Sequence, residues 1–288
     1  MPDEQATLDR PAQHQSHQPG IESQMTPRPV TIRKNYKGSE KLRDRVALIS
    51  GGDSGIGRAV AKHYAREGAH IAIVYLNEKN DALETRKMVE EEGRDCLLIE
   101  GDCRSSKFCR QAVEQTIEKY GRLDILVNSI AEQYPTDSIE KISEDQLIST
   151  FSTNVFGCFY LIQSSLKHMK EGATIINTGS VTSFRGSGHL IDYAGTKGAL
   201  QAITFSLALS LADRGIRVNG IAPGPIWTPL IPATFSAEET RKFGTNTLMK
   251  RAGEPAEVGP AFVFLASEDA SFITGQFIHI NGGGYISS

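Results

Sequence analysis

Residues 50–57 read Ser-Gly-Gly-Asp-Ser-Gly-Ile-Gly, and they join an apolar run at 46–49 to a helix-like segment at 58–66. The run has the length and composition of a buried strand, so the glycines occupy the turn at which a strand enters a helix. Backbone N–H groups and the positive helix end attract anions at such a turn, and glycine lets a ligand approach the backbone closely. An ordinary tight turn is the alternative, and motifs further along the chain argue against it. The following residues of the loop are therefore predicted to bind a cofactor pyrophosphate: Gly51, Asp53, Ser54, Gly55, Ile56 and Gly57.

A second motif places Tyr193 four residues before Lys197 and thirteen residues after Ser180. Residues four apart share one face of a helix, so the ammonium can lie near the phenol and lower its pKa. A pKa shift from about 10 to near 7 needs roughly 4 kcal/mol, about what one positive charge at ~4 Å supplies at an effective dielectric near 20. Desolvation opposes this shift, and an oxidised nicotinamide ring would add the missing positive charge. We expect Tyr193 to act as general acid and base, with Ser180 holding the substrate oxygen.

The same spacing occurs at Tyr75 and Lys79, so the pair alone is weak evidence. Tyr75 ends a short apolar run and has no suitably placed serine upstream, whereas Tyr193 opens a long helix-like stretch to residue 211. We interpret Tyr75 as a pocket wall and Lys79 as a solvated charge.

Short apolar strands alternate with helix-length segments along the chain, with strands near residues 46, 71, 96, 124, 174, 216 and 277. This alternation predicts an α/β protein with a single Rossmann-type, doubly wound parallel sheet of about seven strands flanked by helices. Ligands bind such sheets at the carboxyl ends of the strands. Several candidate residues lie at or just after strand ends: Ser50, Asp102, Asn128, Ser180 and Pro223.

Composition excludes some classes of function. A net charge of −3, with basic residues scattered among acidic ones, gives no support to a nucleic-acid partner. No apolar run has membrane-spanning length and the N-terminus lacks a signal-peptide pattern, so no membrane contact and a cytoplasmic location are expected. The four cysteines lack metal-ligand spacing, and we expect reduced structural thiols and no metal.

The first forty residues differ in kind. They are rich in Gln, Pro, His and Ser and show almost no apolar periodicity. Such a segment cannot build a core, so residues 1–40 are predicted to be an extended or disordered N-terminal arm, and residues 41–288 the NAD(P)-binding Rossmann catalytic domain. His14 and His17 are interpreted as solvated histidines.

From about residue 41 to the C-terminus, these motifs resemble the short-chain dehydrogenase/reductase family. The resemblance implies that Asn154 completes a catalytic tetrad with Ser180, Tyr193 and Lys197 and helps to organise a water in a proton relay. The arm and the Gly52-Asp53-Ser54 version of the loop resemble a bacterial subgroup with N-terminal extensions, some of whose members are described as general-stress oxidoreductases. The family pattern adds these cofactor-binding residues: Tyr75, Leu76, Asn77, Asp102, Cys103, Asn128, Tyr193, Lys197, Pro223, Gly224, Ile226 and Thr228. One departure is Ala131, where the family usually has glycine, which predicts either an unstrained backbone there or a small strain.

The choice between NAD and NADP stays open at this point. The second strand ends without the carboxylate that would bind the adenosine ribose and repel a 2′-phosphate. Arg58 either reaches a phosphate or is a surface helix residue, and Asp53 adds an opposing charge.

The resemblance implies hydride transfer between the nicotinamide and a small-molecule carbonyl or alcohol, with a homotetramer formed through the long helices and the strand at 276–280. A nicotinamide-binding redox sensor is the alternative function, and reduction of a carbon–carbon double bond is a third.

Residues 232–250 are expected to form a mobile lid. Trp227 is either packed core or a substrate platform, and Arg185 either binds an anionic substrate or is simply exposed. The candidate substrate walls are Gln133, Tyr134, Thr182, Arg185, Ile191, Asp192 and residues 227–231.

Overall fold

The computed structural model describes residues 10–286 of the 288, and its centre is a seven-stranded, wholly parallel sheet. This confirms the predicted fold class, and each strand lies where the apolar runs predict it. The strands are β1 (Val46–Ser50), β2 (His70–Tyr75), β3 (Cys96–Glu100), β4 (Ile125–Asn128), β5 (Thr174–Thr178), β6 (Arg217–Pro223) and β7 (Phe277–Ile280).

The strand order is β3-β2-β1-β4-β5-β6-β7, so the direction of winding reverses between β1 and β4. At this point Ser50 pairs with Asn128, each the last residue of its strand. A crevice forms above the carboxyl ends of the strands where the order reverses, and it is the usual ligand site of such sheets.

Helices cover both faces of the sheet. Their bounds are α1 (Gly55–Arg66), α2 (Lys79–Glu90), α3 (Ser106–Tyr120), α4 (Glu144–Phe151), α5 (Gly157–Ser165), α6 (Thr182–Arg185), α7 (Ile191–Leu211), α8 (Leu230–Thr234), α9 (Ala237–Arg241) and α10 (Pro255–Ala266). A π-helical turn, Ser152–Phe156, separates α4 from α5. Short 3-10 turns lie at Glu22–Gln24, Ile139–Lys141, Ala212–Arg214 and Glu268–Ala270.

Two hydrophobic cores fill the space between the sheet and its helices. One core packs α1, α2 and α10 against one face, and the other packs α3, α5 and α7 against the opposite face. All five residues of β1 are buried, as expected for a central parallel strand that is covered on both sides. The rigid sheet fixes where the strand-end loops, and hence the candidate site residues, lie.

The described part of the N-terminal arm, residues 10–40, packs against the catalytic domain. Apart from one 3-10 turn it holds no helix or strand. Met25 and Glu22 are each only 2% exposed, and the indole Nε1 of Trp227 donates to the carbonyl oxygen of Pro27 at 2.9 Å. Trp227 is fully buried with the Arg10 guanidinium 4.1 Å from its ring, so it is packed core beneath the arm and not a substrate platform.

Candidate active site

The glycine-rich loop runs from the end of β1 into the first turn of α1. Gly51 and Gly55 have φ of +65° and +51°, which favour glycine, and a Cβ on Gly57 would lie 1.9 Å from the carbonyl oxygen of Gly51. Ser54, the N-cap residue, gives α1 no side-chain hydrogen bond. The loop is therefore compact, with uncapped first-turn N–H groups, and it fits a pyrophosphate.

One of these N–H groups already has a partner within the chain. The Gly55 N–H donates to Oε2 of Glu22 at 2.6 Å. Glu22 comes from the N-terminal arm and also pairs with Arg58 on α1. Gly55 still lines the cavity, and its contact with a cofactor stays a prediction.

Arg58 is fully buried, so it is neither a surface residue nor free to meet a 2′-phosphate. Its guanidinium contacts Glu22, Thr85 and Asp81, and its Nε donates to the carbonyl oxygen of Asp53 at 2.9 Å. Both expectations for this arginine are wrong, because the arm and α2 supply acceptors that the local sequence does not reveal.

Three of the four predicted catalytic side chains lie together beyond β5. The Nζ of Lys197 donates to the carbonyl oxygen of Thr178 at 2.8 Å and lies 5.5 Å from the centroid of the Tyr193 ring. Ser180, two residues after the end of β5, forms a side-chain hydrogen bond with Tyr193. All three side chains line one cavity.

Burial is the main influence on the pKa values of Tyr193 and Lys197. It raises the pKa of Tyr193 to about 12, against a smaller lowering by the Ser180 hydrogen bond. It also lowers the pKa of Lys197 to about 8. The desolvation cost of burying the phenolate thus opposes the shift that Lys197 favours, as expected from the sequence, and further positive charge is needed to lower the phenol pKa.

Asn154 occupies the π-helical turn between α4 and α5 and is fully buried. Its Oδ1 accepts from the Glu132 N–H at 2.8 Å, and its Nδ2 donates to the Glu132 carbonyl oxygen at 2.9 Å and to Thr196 Oγ1 at 3.1 Å. Such turns are frequent at functional sites, because they redirect a side chain within a helix. Asn154 thus ties the loop after β4 to the helix that carries Tyr193, and it does not line the cavity.

The cavity above the strand ends has a volume of about 800 Å³, enough for a cofactor and a small substrate. Most predicted cofactor residues line it: Gly51, Asp53, Ser54, Gly55, Ile56, Gly57, Tyr75, Leu76, Asp102, Cys103, Tyr193, Lys197, Pro223, Gly224, Ile226 and Thr228. Tyr75 is a cavity wall and Lys79 an exposed residue, as interpreted from the sequence.

Two predicted cofactor residues lie outside this lining. Asn77 is exposed, because β2 ends at Tyr75 and the chain turns outward to α2. Asn128 is 1% exposed and donates through Nδ2 to Oδ1 of Asn177 at 2.8 Å, so it joins β4 to β5 below the cavity floor.

Some of the predicted substrate-wall residues line the cavity and others do not. Gln133, Tyr134, Thr182 and Arg185 line the cavity, as do residues 228–231. Ile191 and Asp192 do not; Asp192 is turned toward α4, where Oδ2 accepts from Thr150 and Gln146. Residues 235 and 242–246 of the expected lid line the cavity, and the mobility of that segment stays a prediction.

Ala131 has no positive φ, so replacing the usual glycine costs no backbone strain.

Several cavity residues escaped the sequence reasoning. Gln18, Pro19 and Gly20 of the arm line the cavity, as does Glu78 after β2. Burial raises the pKa of Glu78 and brings that of Asp53 to about 7, so two carboxyl groups lie near the end of β2. The proline and glycine of the arm indicate only a turn, and no pattern in the neighbouring sequence indicates where that turn packs.

This geometry defines a class: an α/β protein with a dinucleotide-binding loop and a Ser-Tyr-Lys group at the same strand ends. A family model described as enoyl-(acyl carrier protein) reductase matches residues 51–284. The chain is 54% identical to the uncharacterized oxidoreductase YhdF of Bacillus subtilis over 100% of this chain and 99% of that protein. It is 53% identical to general stress protein 39 of the same bacterium, covering 96% and 97% of the two chains.

More distant relatives carry functional names. The chain is 48% identical to NADPH-dependent aldehyde reductase 1 of Arabidopsis thaliana, covering 96% of this chain and 98% of that protein. A crystal structure of a short-chain dehydrogenase from Burkholderia cenocepacia in complex with NADP superposes with a TM-score of 0.80 at 30% identity, covering 84% and 98% of the chains. The protein belongs to the short-chain dehydrogenase/reductase family and is an NAD(P)-dependent oxidoreductase, which confirms the resemblance found in the sequence.

Proposed function

We propose that the protein interconverts a carbonyl compound and its alcohol, with Tyr193 as general acid and base. The observation that carries this proposal is the convergence of Ser180, Tyr193 and Lys197 on the cavity that the glycine-rich loop also lines. A redox sensor would need the cofactor loop but not this group. When bound, NAD(P)H would supply the hydride to the carbonyl carbon in reduction, and NAD(P)+ would accept it from the alcohol carbon in oxidation.

The protein's own part is to hold the carbonyl oxygen and to move one proton. In reduction, the Ser180 hydroxyl donates a hydrogen bond to the substrate oxygen, and the Tyr193 phenol gives that oxygen its proton as the hydride reaches the carbon. The phenolate that remains is stabilised by the Lys197 ammonium and takes a proton back from solvent. Oxidation of the alcohol reverses each step.

Asn154 supports this chemistry from outside the cavity. Its amide fixes both backbone groups of Glu132 and reaches α7 through Thr196. We assign it a positioning role for the loop after β4, and a water relay between Asn154 and Lys197 remains a prediction from the family.

The substrate end of the cavity supports a polar aldehyde or ketone. Its walls include Glu132, Gln133, Tyr134, Ser149 and Arg185, whose groups suit hydroxyl groups on a substrate. The aldehyde reductase relative agrees with this class. NAD and NADP both remain candidates, since the buried Arg58 gives no support to a 2′-phosphate while that relative is named for NADPH.

We also propose a homotetramer and a cytoplasmic location. Exposed apolar side chains lie on the long helices and the π-helical turn, including Phe205 and Leu209 on α7, Phe159 on α5 and Phe156 in the turn. Within each of these two pairs the side chains lie three or four residues apart and share one helix face, an arrangement that suits a subunit contact. Within residues 10–286, no helix combines the length and apolarity of a membrane span.

The test is NADH and NADPH turnover with hydroxylated and plain aldehydes, ketones and an α,β-unsaturated thioester. Tyr193→Phe should lose at least ~100-fold in kcat, the low end of a general acid's contribution, while still binding cofactor. Tyr160→Phe, a change of the same kind outside the cavity, should keep full activity. Turnover of the thioester alone would favour reduction of the double bond, and cofactor binding without any turnover would favour the sensor.

A further inference from the structure

The arm lines the cavity and contacts three of the loops that form it. We call residues 13–26 the strap. Gln18 Nε2 donates to the Gln133 carbonyl oxygen at 2.6 Å, and the Gln133 N–H donates back to Gln18 Oε1 at 3.2 Å, which joins the strap to the loop after β4. The N–H of Gln15 donates to the Pro232 carbonyl oxygen at 2.7 Å, which joins the strap to α8.

The strap also packs closely against the loop after β6. A Cβ on Gly20 would lie 2.3 Å from the Pro229 carbonyl oxygen, so only glycine fits at this contact without a shift. Gln18, Pro19 and Gly20 line the cavity itself. The strap is therefore part of the cavity wall.

The third contact is with the glycine-rich loop, through Glu22. This carboxylate is 2% exposed; one oxygen accepts from the Gly55 N–H and the other pairs with Arg58. The Glu22 N–H donates to Oδ2 of Asp81 at 2.7 Å, so the backbone is held as well. A buried carboxylate needs a charged partner and hydrogen bonds, and here Arg58 of α1 is the charged partner while the turn that should hold the cofactor pyrophosphate donates a hydrogen bond through Gly55.

We propose that the strap is a built-in wall of the cofactor site and that Glu22 is the positioning residue through which it sets the glycine-rich loop for the pyrophosphate. By occupying the Gly55 N–H and anchoring Arg58, Glu22 fixes the start of α1. The remaining amides of that turn, those of Ile56 and Gly57, are then directed at the anion. The proposal rests on the assignment of the glycine-rich loop as the pyrophosphate site.

The carboxylate of Glu84 offers a matched control. It also contacts Arg58, at 3.3 Å, and Arg28, but it touches neither the loop nor the cavity. If the Arg58 cluster is purely structural, variants of Glu22 and Glu84 that lose the same stability should also lose the same cofactor affinity. If Glu22 positions the loop, its variants should lose much more cofactor affinity than the Glu84 variant.

The experiment measures the Kd of NADH and NADPH by nucleotide fluorescence and the Tm of each variant of the full chain. Glu22→Ala should raise the Kd of the preferred nucleotide at least tenfold, Glu22→Gln should raise it less because an amide oxygen can still accept from Gly55, and Glu84→Gln should stay within twofold. A Kd within twofold of wild type in Glu22→Ala, or tighter binding, would overturn the proposal.

Gln18→Ala covers the case in which Glu22→Ala fails to fold, because Gln18 is only half-buried. It frees the strap from Gln133, and the NADH dissociation rate should rise at least threefold with the Tm nearly unchanged. An unchanged dissociation rate would count against the strap as a wall. Cofactor binding by the wild-type protein is measured in the same assay, so failure of this inference stays distinct from failure of the proposed reaction.

Discussion

The ammonium of Lys197 donates a hydrogen bond to the carbonyl oxygen of Thr178, the last residue of β5, at 2.8 Å. This bond ties α7, which carries Tyr193, to the strand end that leads to Ser180. One side chain therefore fixes Tyr193, the proposed proton donor, relative to Ser180, which is proposed to hold the substrate, while its positive charge stays close to the phenol ring.

Replacing Lys197 by Met should lower kcat by at least ~100-fold, since the phenolate left after proton transfer loses its nearest positive charge. Steady-state kinetics at saturating cofactor measures this effect. Lys79→Met is the control, because Lys79 has the same spacing to a tyrosine but is exposed, and its activity should stay within twofold of wild type. Equal losses in the two variants would contradict the role of Lys197.

The strands, the glycine-rich loop and the Ser-Tyr-Lys group were predictable because each depends on a local pattern. Apolar runs specify buried strands, and the helical period brings Tyr193 and Lys197 to one face. The parallel sheet then carries every strand end to the same edge. Of the predicted cofactor residues, Asn77 and Asn128 do not line the cavity, since neither the exact end of β2 nor the direction of the Asn128 side chain can be obtained from a period of two.

The arm contacts were not predictable, because they join residues far apart in the chain. Glu22 meets Arg58 across 36 positions, and Gln18 meets Gln133 across 115. A polar segment without periodicity contains no signal of where it packs. For the same reason Arg58 was predicted to meet either solvent or a phosphate, although the fold buries it among carboxylates.

Asp53 should make stability depend on pH. Burial brings its pKa to about 7 from an ordinary 3.8, so the folded protein holds this proton more tightly than the unfolded chain does. The stability contribution is complete below pH 3.8 and is lost as the pH rises through about 7. Asp53→Asn removes this loss. The free energy of unfolding of the variant, relative to that of wild type, should therefore rise by roughly 2–4 kcal/mol between pH 3.8 and about 7. Urea unfolding across that range measures the difference, and a constant difference would refute the expectation.

The exposed face of α7 should mediate subunit association. Leu209 is 84% exposed, and a charge there would have to be buried in any contact between copies of the helix. Leu209→Glu should therefore shift the proposed tetramer toward smaller species, as measured by light scattering coupled to size exclusion. Ile139→Glu is the control, since Ile139 is 63% exposed in the 3-10 turn before α4, outside α7, and should leave the mass unchanged. A monomeric wild-type protein would contradict the proposed assembly.

Arg58 tests whether the buried charge cluster beneath the cofactor loop is structural. Removing one member of a buried ion network leaves its partners as uncompensated charges, which typically costs 3–5 kcal/mol. Arg58→Met should lower the free energy of unfolding by about that amount, because Glu22 and Asp81 lose the cation that balances them. Arg28→Met is the matched control, since Arg28 is 45% exposed and its pairing with Glu84 should contribute at most ~1 kcal/mol.

The ratio of NADH to NADPH affinity should be the same in Arg58→Met and wild type, because a fully buried guanidinium cannot contact the 2′-phosphate. A selective loss of NADPH binding would instead mean that Arg58 leaves the cluster to contact the cofactor.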